Sequence, residues 1–145
     1  MKTIKLKNNE VVPVFNFLQE LELVGQASRG RTKFNKRLEE KNKEFNEDLT
    51  EIRKDYFEVD EAGELVVKDN KFQPKEDMTD EQKKELKDRV KELEEEEVEV
   101  SFSEYSKKYE ALFEALDKLD VPLKGQDAFA YDQLMTAYEE NEEEK

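Results

Sequence analysis

The stretch SRGRTKFNKRLEEKNKEFNEDLTEIRKDYFE, residues 28–58, decides the fold. It runs for 31 residues without proline and with one early glycine, Gly30. Its apolar residues fall at Phe34, Leu38, Phe45, Leu49, Ile52 and Tyr56, a stripe of helical period with a gap near Lys41 and Asn42. Leu38, Phe45 and Ile52 stand seven apart, the spacing of a narrow seam that meets one partner helix. With Ser28 as N-cap, the spacing predicts one helix over about 28–58, roughly 45 Å long at about 1.5 Å per residue. A compact domain of 145 residues does not bury such a rod end to end. The seam therefore needs a partner helix in this chain, a second copy, or both.

The partner within the chain lies further on. Thr79 with Gln82 three residues later is a capping box, and Leu86, Val90 and Leu93 give the helix it opens one thin apolar stripe. Thin stripes pair, so an antiparallel helical pair is expected. Upstream, 3–7 alternates Ile4 and Leu6 with lysines and reads as a strand. Asn8-Asn9 suggests a tight turn. Pro13 suits the first position of a short helix running to about Leu23, with Gly25 as its stop.

Downstream, 97–102 alternates strictly and is the clearest strand. It is expected to pair with 3–7, lysines facing glutamates at about 0.2–1 kcal/mol per pair. Around Asp69-Asn70, 65–67 and 71–73 suggest a small hairpin that Pro74 ends. Ser103 is expected to cap a helix over 104–119, the most amphipathic in the chain, and Asp127 a last helix carrying Phe129, Tyr131, Leu134, Met135 and Tyr138. The expected fold is mainly α (α+β): about five helices including the long one, with a small antiparallel sheet. It forms a single domain over 1–145 with an acidic frayed tail at 139–145.

Composition excludes much chemistry. Charged residues make up 44% of the chain and apolar ones 35%, so the core is small for the length. There is no cysteine and no histidine. That removes thiol catalysis, disulfides, zinc thiolate sites, and the commonest general base and transition-metal ligand. Net charge is −14, unevenly placed: 1–54 holds 12 basic and 9 acidic residues, and 55–145 holds 13 and 30. Such acidity repels nucleic acid and anionic membranes over most of the surface. The basic start lacks the apolar run of a signal peptide, and no stretch approaches about 18 apolar residues. The chain is expected to stay in the cytoplasm.

Carboxylates are everywhere, but none sits where the sequence predicts a desolvating pocket, so no catalytic pair is chosen. A calcium loop with Gly63 at its sixth position would put Glu58 and Asp60 on ligand positions. Ala62 and Asp69 break it, leaving a plain turn. No metal or cofactor is implied. Arg29, Arg31, Lys33, Lys36 and Arg37, continued by Lys41 and Lys43, form a basic cluster. It reads either as a site for a phosphate or an acidic partner near a helix start, or as an internal counterweight to the acidic half. The aromatics Tyr105, Tyr109, Phe113, Tyr131 and Tyr138 read as core rather than as a ligand pocket.

Four stretches carry a family resemblance. They are 4–9 with Phe17-Leu18, then Ala27-Ser28-Arg29-Gly30-Arg31-Thr32-Lys33, then Asp60-Glu61-Ala62-Gly63, and lastly Tyr105-Ser106-Lys107-Lys108-Tyr109-Glu110-Ala111-Leu112 with Asp127-Ala128-Phe129-Ala130-Tyr131-Asp132-Gln133-Leu134. In their order and spacing the chain resembles small, uncharacterised bacteriophage and prophage proteins of Gram-positive bacteria, catalogued as a domain of unknown function. The resemblance implies a phage gene product, associated with tail or late structural genes, and no known activity. No functional residue can be carried over from it.

Two functions are weighed. One is a non-enzymatic protein that works through protein–protein contacts, a structural or tail-assembly accessory, in the host cytoplasm or incorporated in the virion. The other is an acidic inhibitor that imitates nucleic acid and occupies a host or defence protein's DNA site. On the first, Arg29, Arg31, Lys33, Lys36 and Arg37 meet a protein partner. Phe34, Leu38, Phe45, Leu49 and Ile52 form a self-association seam for a homodimer, and no direct binding to nucleic acid or membrane is expected.

Overall fold

The structure, a computed structural model, describes residues 2–143 and the side chains of 2–140. The order is β1 (Thr3–Lys7), α1 (Asn8–Gln19), α2 (Gly25–Lys54), β2 (Val67–Lys68), β3 (Lys71–Phe72), α3 (Asp80–Glu95), β4 (Glu97–Ser101), α4 (Ser106–Asp117) and α5 (Gly125–Glu143). Five helices and a small antiparallel sheet make the fold mainly α, as the residue pattern predicts. The chain divides into two compact units, Met1–Asn42 with Glu97–Lys145, and Lys43–Glu96.

In the first unit β1 and β4 pair antiparallel, with lysines facing glutamates as expected. Lys5 faces Glu99 and Lys7 faces Glu97, while Ile4 opposes Val100 and Leu6 opposes Val98. A two-stranded sheet is marginal alone, and this one is held by helices: β1 packs on α1 and α5, and α1 on α5. Ile4, Leu6 and Val100 are buried in that layer.

Asn8-Asn9 is not a turn. β1 runs straight into α1 through Lys7, whose backbone N–H donates to the Glu10 carboxylate at 2.7 Å. Burial of Val11, Val14, Phe17 and Leu18 on one face outweighs the turn preference of the asparagines. Pro13 consequently lies inside α1, and the helix stops at Gln19 rather than Leu23.

α2 begins at Gly25, whose φ of +57° starts the chain afresh after the 20–24 connection. Ser28 is therefore not the N-cap; its N–H already bonds the Val24 carbonyl at 3.4 Å. The helix ends at Lys54 and leaves 55–58 outside. α4 starts at Ser106, not Glu104, and Ser103 caps nothing. Its own N–H donates to Ser101 Oγ at 3.2 Å, which keeps the segment after β4 in a turn. α5 starts at Gly125 (φ +59°), so Asp127 sits inside the first turn, where its charge suits the helix N-terminus. Of the expected frayed tail 139–145, α5 continues through Glu143, and 144–145 lie outside the described residues.

The core of this unit is aromatic. Phe34 meets Tyr109 and Phe113 edge-on at 5.7 and 5.9 Å, and Tyr138 stacks on Phe113 at 4.4 Å. Phe102 joins both clusters, lying 5.0 Å from Tyr109. α2 reaches this core closely at Gly30, where an added Cβ would lie 2.8 Å from the backbone carbonyl carbon of Lys108 in α4.

In the second unit Asp60 Oδ1 accepts from the N–H groups of Ala62 and Glu64, and Gly63 takes φ +82°. These bonds close a turn over 60–64, the segment read as a turn from its sequence. Asp69 and Asn70 both take positive φ, 54° and 62°, the geometry of a type I′ hairpin between β2 and β3. Thr79 and Gln82 close the capping box of α3 from both sides. α3 is tied to the end of α2 through Tyr56. The Tyr56 hydroxyl donates to Glu85 at 2.6 Å, and Arg89 donates to it at 3.1 Å and to Asp55 at 3.0 Å.

Candidate functional site

α2 carries the whole basic cluster, and its neighbours divide the cluster by role. Arg31 Nη1 donates to the carbonyl oxygens of Leu18 and Leu21 at 2.9 and 2.6 Å. These lie at the end of α1 and just beyond it, where helix carbonyls lack intrahelical donors. The Leu18 carbonyl also accepts the Leu21 N–H at 3.3 Å, so the guanidinium adds a further donor at this helix end and ties α1 to α2. Arg37 pairs with Glu104 and, at 3.2 Å, with Glu40. Beside them the Tyr105 ring is approached by Lys33 at 5.2 Å, Lys108 at 5.8 Å and Arg37 at 5.9 Å, a platform for cations. The carboxylates raise the Arg37 pKa, chiefly through its bond to Glu40, so its charge is secure. Arg29 and Lys36 are exposed.

Arg31 and Lys36 are brought together on one concave surface. A cleft of about 480 Å³ runs between α1 and α2, lined by Phe15, Gln19, Arg31, Thr32, Asn35, Lys36 and Glu39. Its size falls in the range of roughly 300–1,000 Å³ usual for ligand sites. Asn35 is 4% exposed; its Nδ2 donates to the Phe15 carbonyl at 3.2 Å, and its Oδ1 is buried without a partner. The amide is oriented by that donor bond, since turning it over would set oxygen against oxygen. An unpaired buried acceptor costs about 1–3 kcal/mol.

Phe15, Gln19 and Asn35 were not selected from the sequence. Phe15 and Gln19 follow from α1 being a helix that meets α2. The only sequence signal for Asn35 was its place beside Phe34 on the buried side of a charged helix.

The other residues chosen from the sequence separate. Phe34 and Leu38 are fully buried in the first unit's own core, while Phe45, Leu49 and Ile52 are half-buried in the second. The aromatics Tyr109 and Phe113 are buried core residues, while Tyr105, Tyr131 and Tyr138 are half-buried against that core. Tyr131 donates its hydroxyl to the Leu116 carbonyl at 2.6 Å. Burial raises the hydroxyl pKa of Tyr56, Tyr109 and Tyr131, so all three are neutral at ordinary pH. Among the described residues no three carboxylates are grouped to hold a metal ion, and no helix is long and apolar enough to cross a membrane.

No curated protein and no solved structure matches the chain. One family model does, over residues 2–145, and with nearly the whole sequence inside it the chain belongs to the family described as protein of unknown function (DUF1617).

Proposed function

We propose that this protein acts without catalysis, by holding a protein partner on the basic face of its first unit. The observation that carries the reading is the α1–α2 cleft. There Arg31 and Lys36 border a concave surface with an unpaired acceptor at Asn35, while Arg29 and Lys33 extend the positive charge along the same helix. Arg37 is committed to Glu104 and Glu40 and Arg31 spends only Nη1 on internal bonds, so Nη2 and Nε of Arg31, with the exposed Arg29 and Lys36 and the half-buried Lys33, form the part offered to a partner.

The resemblance to bacteriophage and prophage proteins supports a role in phage assembly, as a structural or tail-assembly accessory working in the host cytoplasm or within the virion. Self-association is a second contact. Phe34 and Leu38 are committed to the core, so a homodimer would use Phe45, Leu49 and Ile52. The acidic-inhibitor reading draws on the second unit, where 43–96 holds 11 basic and 20 acidic residues.

Photo-crosslinking separates the two functions. A photoreactive side chain is placed at Lys33, at Lys36 or, in the second unit, at Lys83, and the protein is expressed in the producing bacterium. A defined adduct from the first two positions supports the partner-binding face. An adduct from Lys83 alone, identified as a DNA-binding protein, replaces it with the inhibitor. Adducts from none remove both.

A further inference from the structure

We propose that the α1–α2 cleft takes an acidic peptide segment, with a carboxylate on Lys36 and Arg31 and a peptide N–H on Asn35 Oδ1. This rests on the reading that the basic face binds a protein. It names the partner's chemistry.

The donors and acceptors of the cleft define the ligand. Arg31 has committed Nη1 to two carbonyls, and Nη2 and Nε carry its remaining donors. They are fixed in orientation by those same bonds, so little freedom is lost when an anion is captured. Lys36 is exposed and adds a second positive charge on the same cleft. These groups call for an anion.

Asn35 Oδ1 calls for the opposite. It is an acceptor, buried and unpaired; a phosphodiester, which has no O–H, brings it nothing, and inorganic phosphate brings at most one or two O–H groups and no apolar surface for Phe15. A peptide brings both: a side-chain carboxylate for the cations and a backbone N–H for the acceptor. Asn35 Oδ1 is itself buried, so a peptide N–H reaches it only when the cleft lining opens on binding; Gln19, Thr32, Lys36 and Glu39 are the exposed side chains of that lining. Phe15, half-buried on the lining, offers apolar surface to the peptide's own side chains. Glu39 adds a negative charge to the same lining, which disfavours a polyanion running through the cleft and favours a single carboxylate.

The test uses the full chain and end-blocked, fluorescein-labelled pentapeptides. One alternates glutamate and leucine; the control has glutamine in place of glutamate. Binding is followed by anisotropy at about 0.1 M salt, and the Asn35 side-chain amide by NMR. The glutamate peptide should bind about tenfold tighter than the control and shift the Asn35 amide resonance. Lys36→Glu, a change at an exposed position, should weaken it about fivefold to tenfold. Equal affinity for both peptides, or indifference to Lys36→Glu, overturns the proposal. So does displacement by millimolar inorganic phosphate with no Asn35 shift, which would make the cleft a simple anion site. If crosslinks form from Lys33 and Lys36 while no acidic peptide binds, the cleft proposal fails and the partner-binding face stands. If neither occurs, both fail.

Discussion

Replacing Gly30 by alanine would press a Cβ onto the Lys108 carbonyl oxygen, 2.8 Å from that carbonyl's carbon and 3.2 Å from Leu112 Cβ. The first neighbour is backbone inside α4, so it cannot rotate away; α2 or α4 must move. Overpacking of this kind costs typically about 1–3 kcal/mol, and a rigid backbone contact belongs at the upper end. Opposing it, alanine is favoured over glycine in a helix interior by about 1 kcal/mol. The net expectation is a loss of about 2 kcal/mol in the first unit, a fall in Tm of at least about 5 °C. Gln26→Ala, on an exposed position of the same helix, meets no such neighbour and should change stability by less than about 0.5 kcal/mol. Urea and thermal unfolding followed by circular dichroism measure both. A Gly30→Ala protein that is more stable than the parent would mean that propensity governs this position, and that α2 and α4 do not meet there.

Arg31→Ala removes the donor shared by the Leu18 and Leu21 carbonyls and should destabilise by about 1.5–3 kcal/mol in urea unfolding, with Arg31→Lys only partly restoring it because one ammonium lacks the planar fork. Asn70→Val forces a β-branched residue to φ +62° in the β2–β3 turn and should cost about 1–2 kcal/mol, whereas Asn70→Gly should be neutral or slightly stabilising; equal stability of all three would refute the type I′ geometry. The tyrosine hydroxyls raised by burial bind their protons more tightly folded than unfolded. Their contribution is thus fully present below about pH 10, where the unfolded side chain ionises, and is lost as pH rises through the higher folded values. Unfolding midpoints between pH 8 and 11.5 should fall at the alkaline end, and a flat profile would contradict the burial of these groups.

Local chemistry was legible wherever a short run of residues settles its own structure. The strands 3–7 and 97–102 were legible from strict alternation, and their register followed because a slip of one residue would turn Ile4, Leu6 and Val100 to solvent. Thr79 with Gln82, and Asp60 before Gly63, bind their own backbone within a few residues, so neither depends on the rest of the fold. Asp69-Asn70 could be read because both residues tolerate positive φ.

Tertiary packing decided what local signals left balanced. Asn8-Asn9 prefers a turn and Pro13 a helix start, yet α1 runs through both because Val11, Val14, Phe17 and Leu18 gain more from burial than those preferences are worth. Ser28, Ser103 and Asp127 are all competent caps, but where a helix begins depends on which carbonyls and N–H groups the neighbouring segments satisfy. The seam on α2 looked continuous in sequence. Only the fold assigns Phe34 and Leu38 to the aromatic core and leaves Phe45, Leu49 and Ile52 half-covered. The cleft was least legible. Its lining joins α1 to α2, and Asn35 gains its meaning from the carbonyl of Phe15, a residue 20 positions away in the chain. Sequence fixes which groups a residue carries; their partners come from long-range packing, and the unpaired oxygen of Asn35 exists only once that packing is complete.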